Sequence, residues 1–64
     1  MKLAPDYIRA AKNSISGKWE VRLNSRLQSE HATFSQAENK AHHIALKYAD
    51  HGKDCEISLD IRGA

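Results

Sequence analysis

TFSQAENKAHHIALKYADHG, residues 33–52, is the stretch whose reading decides the fold. Thr33 followed three residues later by Gln36 has the spacing of a capping box, in which two side chains satisfy orphan N–H groups at a helix start. Gly52 stands where such a helix ends, free to take the left-handed conformation that closes it. Between these signals Phe34, Ala37, Ala41, Ile44, Ala45 and Tyr48 recur at intervals of three and four. That spacing places them on one helical face. The pattern predicts one amphipathic helix on which the shorter flanking segments must pack.

Downstream, Cys55, Ile57, Leu59 and Ile61 occupy every second position, which predicts a half-buried strand over residues 55–61. Upstream, Trp19, Val21 and Leu23 alternate with Lys18, Glu20 and Arg22, predicting a strand over 18–23. Asn24-Ser25 is turn chemistry. A more polar strand over 26–31, with Leu27 as its one strong apolar residue, completes a hairpin and suits a sheet edge. Residues 1–4 read as a frayed end. Pro5-Asp6 suits a helix start, and Tyr7, Ile8, Ala11 and Ile15 follow at helical spacing, predicting a short helix over 5–13 with a strand as the alternative. Asn13-Ser14 and Ser16-Gly17 punctuate its end.

The expected fold is therefore α+β, (α)ββαβ, in a single domain. The helix returns the chain so that the last strand runs parallel to the second and antiparallel to the first. With the most apolar hairpin strand in the middle, the three-stranded sheet takes the order 2-1-3, one face under the main helix. The last strand is then an apolar edge. Two copies joined through residues 55–61 would make a homodimer, whereas the segment around Tyr7 and Ile8 folding over that edge would leave a monomer.

Trp19-x-Val21, Thr33-x-x-Gln36-Ala37, Ala41, Ala45 and Gly52 before an alternating strand together resemble a family of small bacterial and phage proteins. That family is described only as a domain of unknown function with a ββαβ layout. The resemblance covers about residues 17–61. It implies a further strand at the start, where the spacing of apolar residues indicates a helix, and its terminal Asp-Gly is met only by Arg62-Gly63. It implies no catalytic residues. It does imply a phage or mobile-element accessory role, with a host protein as the partner.

Length and composition bound the function. A chain of 64 residues buries only about 60% of the surface its unfolded form exposes, so its core is small. Ten Lys and Arg against eight Asp and Glu leave a net charge of +2, spread along the chain rather than gathered in a basic run. A single cysteine, Cys55, excludes an intramolecular disulfide and suits a reducing cytoplasm. No apolar run approaches the ~20 residues that span a bilayer, and no signal pattern opens the chain. The expectation is a cytoplasmic protein without a membrane partner.

Four histidines invite a metal reading: His31, His42, His43 and His51. On a helix His42 and His43 diverge by about 100°, and His43 and His51 lie roughly 12 Å apart along the axis. They read as exposed helix-face residues, with no metal and no cofactor expected. Cys55 shares the parity of the buried strand positions and reads as a small core residue rather than a nucleophile. Two surfaces remain as functional candidates. About 160° from Phe34's stripe, Leu46 stands among Asn39, His42 and His43, a candidate protein-contact patch. Lys18, Arg22 and Arg26, with Glu20 and Asn24 between them, form a candidate nucleic-acid face. The expected function is a non-enzymatic protein-interaction module; the alternative is a small nucleic-acid-binding protein using the basic sheet face.

Overall fold

A computed structural model describes residues 5–62; the expected frayed end at residues 1–4 and Gly63 lie outside the described residues. The elements are β1 (Asp6–Lys12), β2 (Trp19–Leu23), β3 (Arg26–His31), α1 (Phe34–Ala49) and β4 (Cys55–Leu59). They form an α+β fold, one helix on a four-stranded mixed sheet of order β3-β2-β1-β4. β1 pairs antiparallel with β2 and parallel with β4, while β2 and β3 form the antiparallel hairpin.

The helix forms where the spacing places it. Thr33 is extended at the cap and its Oγ1 accepts from the Gln36 N–H at 3.3 Å. The return arm reaches one residue further back than a standard box, since Gln36 Oε1 accepts from the Ala32 N–H at 3.2 Å. At the other end the Gly52 and Lys53 N–H groups bond the Ala49 and Tyr48 carbonyls at 2.9 and 3.0 Å. These are the paired bonds of a Schellman closure, with Gly52 at φ +73°.

The core lies between α1 and the sheet: Ile8 and Ala10 from β1, Trp19 and Val21 from β2, and Ala37, Ala41 and Ile44 from the helix. Phe34 meets Trp19 edge-on, ring centroids 5.1 Å apart. Dispersion and the shedding of water from these apolar side chains hold the two layers together.

Two expectations are corrected here. Residues 5–13 are not a helix, because Asp6–Lys12 form β1. The sheet is not three strands in the order 2-1-3, because β1 inserts between the hairpin and β4. The reason is the helix-facing pair Ile8 and Ala10. In a strand they point one way and fill the sheet centre, opposite Leu23 and Val21 on one side and Ile57 and Leu59 on the other. A two- or three-turn helix has no comparable partner surface and is marginal alone. Ile15, counted into the helical spacing, instead stands 97% exposed in the loop between β1 and β2. There Asn13 Oδ1 accepts from the N–H groups of Ile15 and Ser16, an Asx turn. The relative directions hold: β4 runs parallel to β3 and antiparallel to β2.

Asn24 ties β1 to the hairpin. Asn24 and Ser25 both have positive φ, 51° and 72°, the two-residue primed turn that matches strand twist. Asn24 Oδ1 accepts from the Tyr7 N–H at 2.9 Å and its Nδ2 donates to Asp6 Oδ1 at 2.9 Å. Its own N–H bonds the Tyr7 carbonyl at 2.8 Å. One turn residue thus sets both the hairpin and the register of β1.

Candidate protein-interaction site

The two sheet edges differ in kind. In β3 the pairing shifts between Val21↔Ser29 and Arg22↔Leu27, which leaves Gln28 as an extra residue in a bulge. A bulge, together with Arg26 and Glu30, interrupts the regular row of groups that a docking strand needs. β4 has no such device. It is regular, carries no proline or lysine, and pairs with β1 alone among the described residues.

The backbone of β4 shows which groups face outward. The Asp60 N–H bonds the Ala10 carbonyl at 2.9 Å, and the Asp54 carbonyl accepts from the Asp6 N–H at 3.2 Å. Residues 54 and 60 therefore point towards β1. Because N–H and C=O alternate sides along a strand, Glu56 and Ser58 do the same, and Cys55, Ile57 and Leu59 aim theirs at the open edge. Their side chains lie on the helix side, half-buried and packed against the core. Glu56 and Ser58 lie on the far face. The segment around Tyr7 and Ile8 does pair with β4, through Tyr7↔Glu56 and Ile8↔Ile57, but it covers the inner side and leaves the outer one open.

Cys55 sits at the start of this edge. Burial, with Asp6 and Asp54 adding negative charge nearby, pushes its thiol above the usual value. A protonated thiol is a poor nucleophile.

The helix patch has the geometry its spacing implies. Leu46 is 67% exposed, and Asn39, His42 and His43 are exposed around it. His43 also lines a groove of about 420 Å³ between α1 and the hairpin, shared with Lys40, Lys47, Tyr48 and Gln28. Among the described residues no three His, Cys, Asp or Glu side chains gather as metal ligands. His31 is engaged with Ser29, Oγ to Nε2 at 2.8 Å.

Lys18, Arg22 and Arg26 do not share one face. Arg22 lies on the helix-free side, where Glu20 accepts from its Nη2 at 3.2 Å and the Ser25 carbonyl from its Nη1 at 3.2 Å. Lys18 precedes β2 in the adjoining loop. Arg26 faces Leu23 across the turn and so sits on the helix side. Glu20 is held ionised below its usual range first by the Asn13 amide, then by Arg22. At the foot of the same face Asp60 receives Arg62 Nη2 at 2.6 Å and Arg9 Nη2 at 3.2 Å. These pairs cancel much of the charge a phosphate backbone would meet.

Neither family models, nor curated proteins, nor solved structures give a match to this chain. No described helix is long and apolar enough to cross a membrane.

Proposed function

We propose that this chain is a non-enzymatic protein-interaction module that receives an extended strand of its partner along the open edge of β4. The observation that carries this reading is the contrast between the edges: β3 is broken by a bulge, whereas β4 offers outward-facing groups at three alternate residues, Cys55, Ile57 and Leu59, of a regular strand. Strand addition draws affinity from main-chain hydrogen bonds and specificity from alternate side chains. The apolar row Cys55, Ile57 and Leu59 supplies that second element. A thiol raised above its usual value by burial, and Asp60 and Glu20 committed to ion pairs, favour binding over catalysis. The resemblance to phage and bacterial proteins favours a host protein of the cytoplasm as the partner of an accessory protein.

The test is a peptide selection from a random library on the immobilised chain, followed by amide exchange. Selected sequences should alternate apolar residues and slow exchange at Cys55, Ile57 and Leu59. Selected peptides that protect the Leu46 face instead, or leave all three amides unchanged, refute the edge as the site.

A second reading keeps an anionic partner, nucleic acid included, and moves it from the sheet face to the groove beside α1. Its support is that Lys40 and Lys47 lie there with no carboxylate partner among the described residues. Duplex DNA held this way loses affinity with a log–log salt slope of about −0.9 per neutralised phosphate. A binding signal unchanged between low and high salt excludes it.

A further inference from the structure

We infer that the β4 edge pairs with a second copy of this chain, antiparallel, about a two-fold axis centred at Ile57. The inference rests on the edge-pairing reading and names what covers the edge while no strand of a foreign partner is bound.

The argument is one of register. In an antiparallel pair, residues whose backbone groups face each other exchange both hydrogen bonds. The outward-facing residues of β4 are Cys55, Ile57 and Leu59, so these must face one another across the junction. Centring on Ile57 sets Ile57 against Ile57 of the second copy, and Cys55 against Leu59 of the second copy in both directions. All five residues of β4 are then paired. On the helix side every contact is apolar. On the far face Glu56 stands opposite Ser58 of the second copy, a carboxylate opposite a hydroxyl.

Neighbouring registers lack this match. Moving the centre to residue 56 sets Glu56 against Glu56 of the second copy, and moving it to 58 sets Glu56 against Asp60 of the second copy. Like charges directly opposite are destabilising. Centring on Cys55 opposes Asp54 to Glu56 of the second copy and leaves Leu59 beyond the paired stretch.

The axis stands perpendicular to the sheet, so both helices lie on the same face and the two apolar rows join. Half-exposed Cys55, Ile57 and Leu59 then gain cover from their copies. This adds buried apolar surface to a fold whose core, among the described residues, has seven fully packed side chains, Ala10, Ala37 and Ala41 among them.

The register predicts which cysteines can bridge. Facing residues of a hydrogen-bonded antiparallel pair have Cα atoms about 5.5 Å apart, inside the ~4.4–6.8 Å span of a disulfide. In a Cys55→Ser background, Ile57→Cys should therefore form a covalent dimer under mild oxidation. Ser58→Cys in that background sits off the axis, its copies roughly 8 Å apart at a rise of ~3.4 Å per residue, and should not. The two native Cys55 residues, four positions out of step, lie about 14–15 Å apart by the same rise and strand spacing and should not bridge either.

Light scattering on the unaltered chain at tens of micromolar should give twice the 7.2 kDa of one chain. A single-chain mass with no Ile57→Cys bridge overturns the inference, and a bridge through native Cys55 or through Ser58→Cys overturns the register. Amide exchange then separates this inference from the broader reading. In a monomer, fast exchange at Cys55, Ile57 and Leu59 rejects self-pairing and leaves the edge open for a foreign strand. Slow exchange at every concentration in a monomer means the chain covers its own edge, and rejects both.

Discussion

Truncating Ile8 tests the assignment of β1 most directly, because the strand and helix readings of residues 5–13 disagree about its neighbour Tyr7. In the structure Ile8 is fully buried at the centre of the sheet, with Leu23 and Ile57 opposite it on the two flanking strands. Tyr7 points to the helix-free face and is 41% exposed. Removing one buried methyl with Ile8→Val should cost about 0.5–1.5 kcal/mol, and Ile8→Ala about 2–5 kcal/mol, the cavity adding to the lost transfer energy. At roughly 0.05–0.15 kcal/mol per residue, a chain of this length holds only about 3–10 kcal/mol in all. Domains this small shift by roughly 4–8 °C per kcal/mol. Ile8→Val should then lower the melting temperature by about 2–12 °C, and Ile8→Ala by at least ~8 °C, up to loss of the cooperative transition. Tyr7→Ala should cost clearly less than Ile8→Ala. Thermal and urea melts followed by circular dichroism on all three variants decide the matter. Equal losses at Tyr7 and Ile8, as expected for two residues sharing a helical face, would refute the strand.

Four further outcomes follow from single contacts. Thr33→Ala should destabilise by about 0.5–2 kcal/mol in urea melts, because the Gln36 N–H loses its acceptor. At the turn, Asn24→Gly should be less damaging than Asn24→Ala: both lose the clamp on Tyr7 and Asp6, but alanine also meets the left-handed penalty of about 1–2 kcal/mol. Hydrogen bonds from Arg62 hold the Asp60 carboxyl far below its usual range, so its contribution is complete above the unfolded value of about 3.9 and fades as pH falls below it. Asp60→Asn should accordingly be less stable than the parent at neutral pH, the gap closing in acid melts below about pH 4. Iodoacetamide at pH 8 should modify Cys55 more slowly than free cysteine, since burial raises the thiol; a rate equal to the free amino acid contradicts that setting.

The helix and the hairpin were legible because each carries its own punctuation. Thr33, Gln36 and Gly52 mark the ends of α1, and its stripe delivers Ala37, Ala41 and Ile44 to the core. Asn24-Ser25 marks the hairpin turn, and the alternation of Trp19, Val21 and Leu23 marks its buried face. β1 lacks such marks. Its Tyr7, Ile8, Ala10 and Ala11 place apolar groups on both faces of an inner strand, so the period of two is lost. A short run of this kind cannot be told from a helix by spacing alone. Pro5-Asp6 then looked like a helix start, and Ile15 prolonged a pattern that ends in a loop. The usable signal was Asn13 with Gly17: the Asn13 carbonyl accepts from the Gly17 N–H at 2.8 Å, and Gly17 has φ +74°. Turn chemistry at that point divides two strands as readily as it ends a helix.

The same insertion of β1 determines what the edge of β4 can do. Alternation along residues 55–61 predicts an apolar edge strand; β4 is one but ends at Leu59, with Ile61 66% exposed beyond it. Which of its backbone groups are free depends on the strand beside it. With β1 there, the Asp54 carbonyl and Asp60 N–H are committed inward, and so by alternation are the groups of Glu56 and Ser58. A proline at Ser58 would therefore break the internal ladder and unfold β4 without probing the outer edge. The outward N–H groups belong to Cys55, Ile57 and Leu59, whose side chains also form the apolar row. Main-chain bonding and apolar cover thus reside in the same three residues. A partner strand that pairs with the one must pack on the other, which restricts it to registers that place its own apolar residues on the helix side.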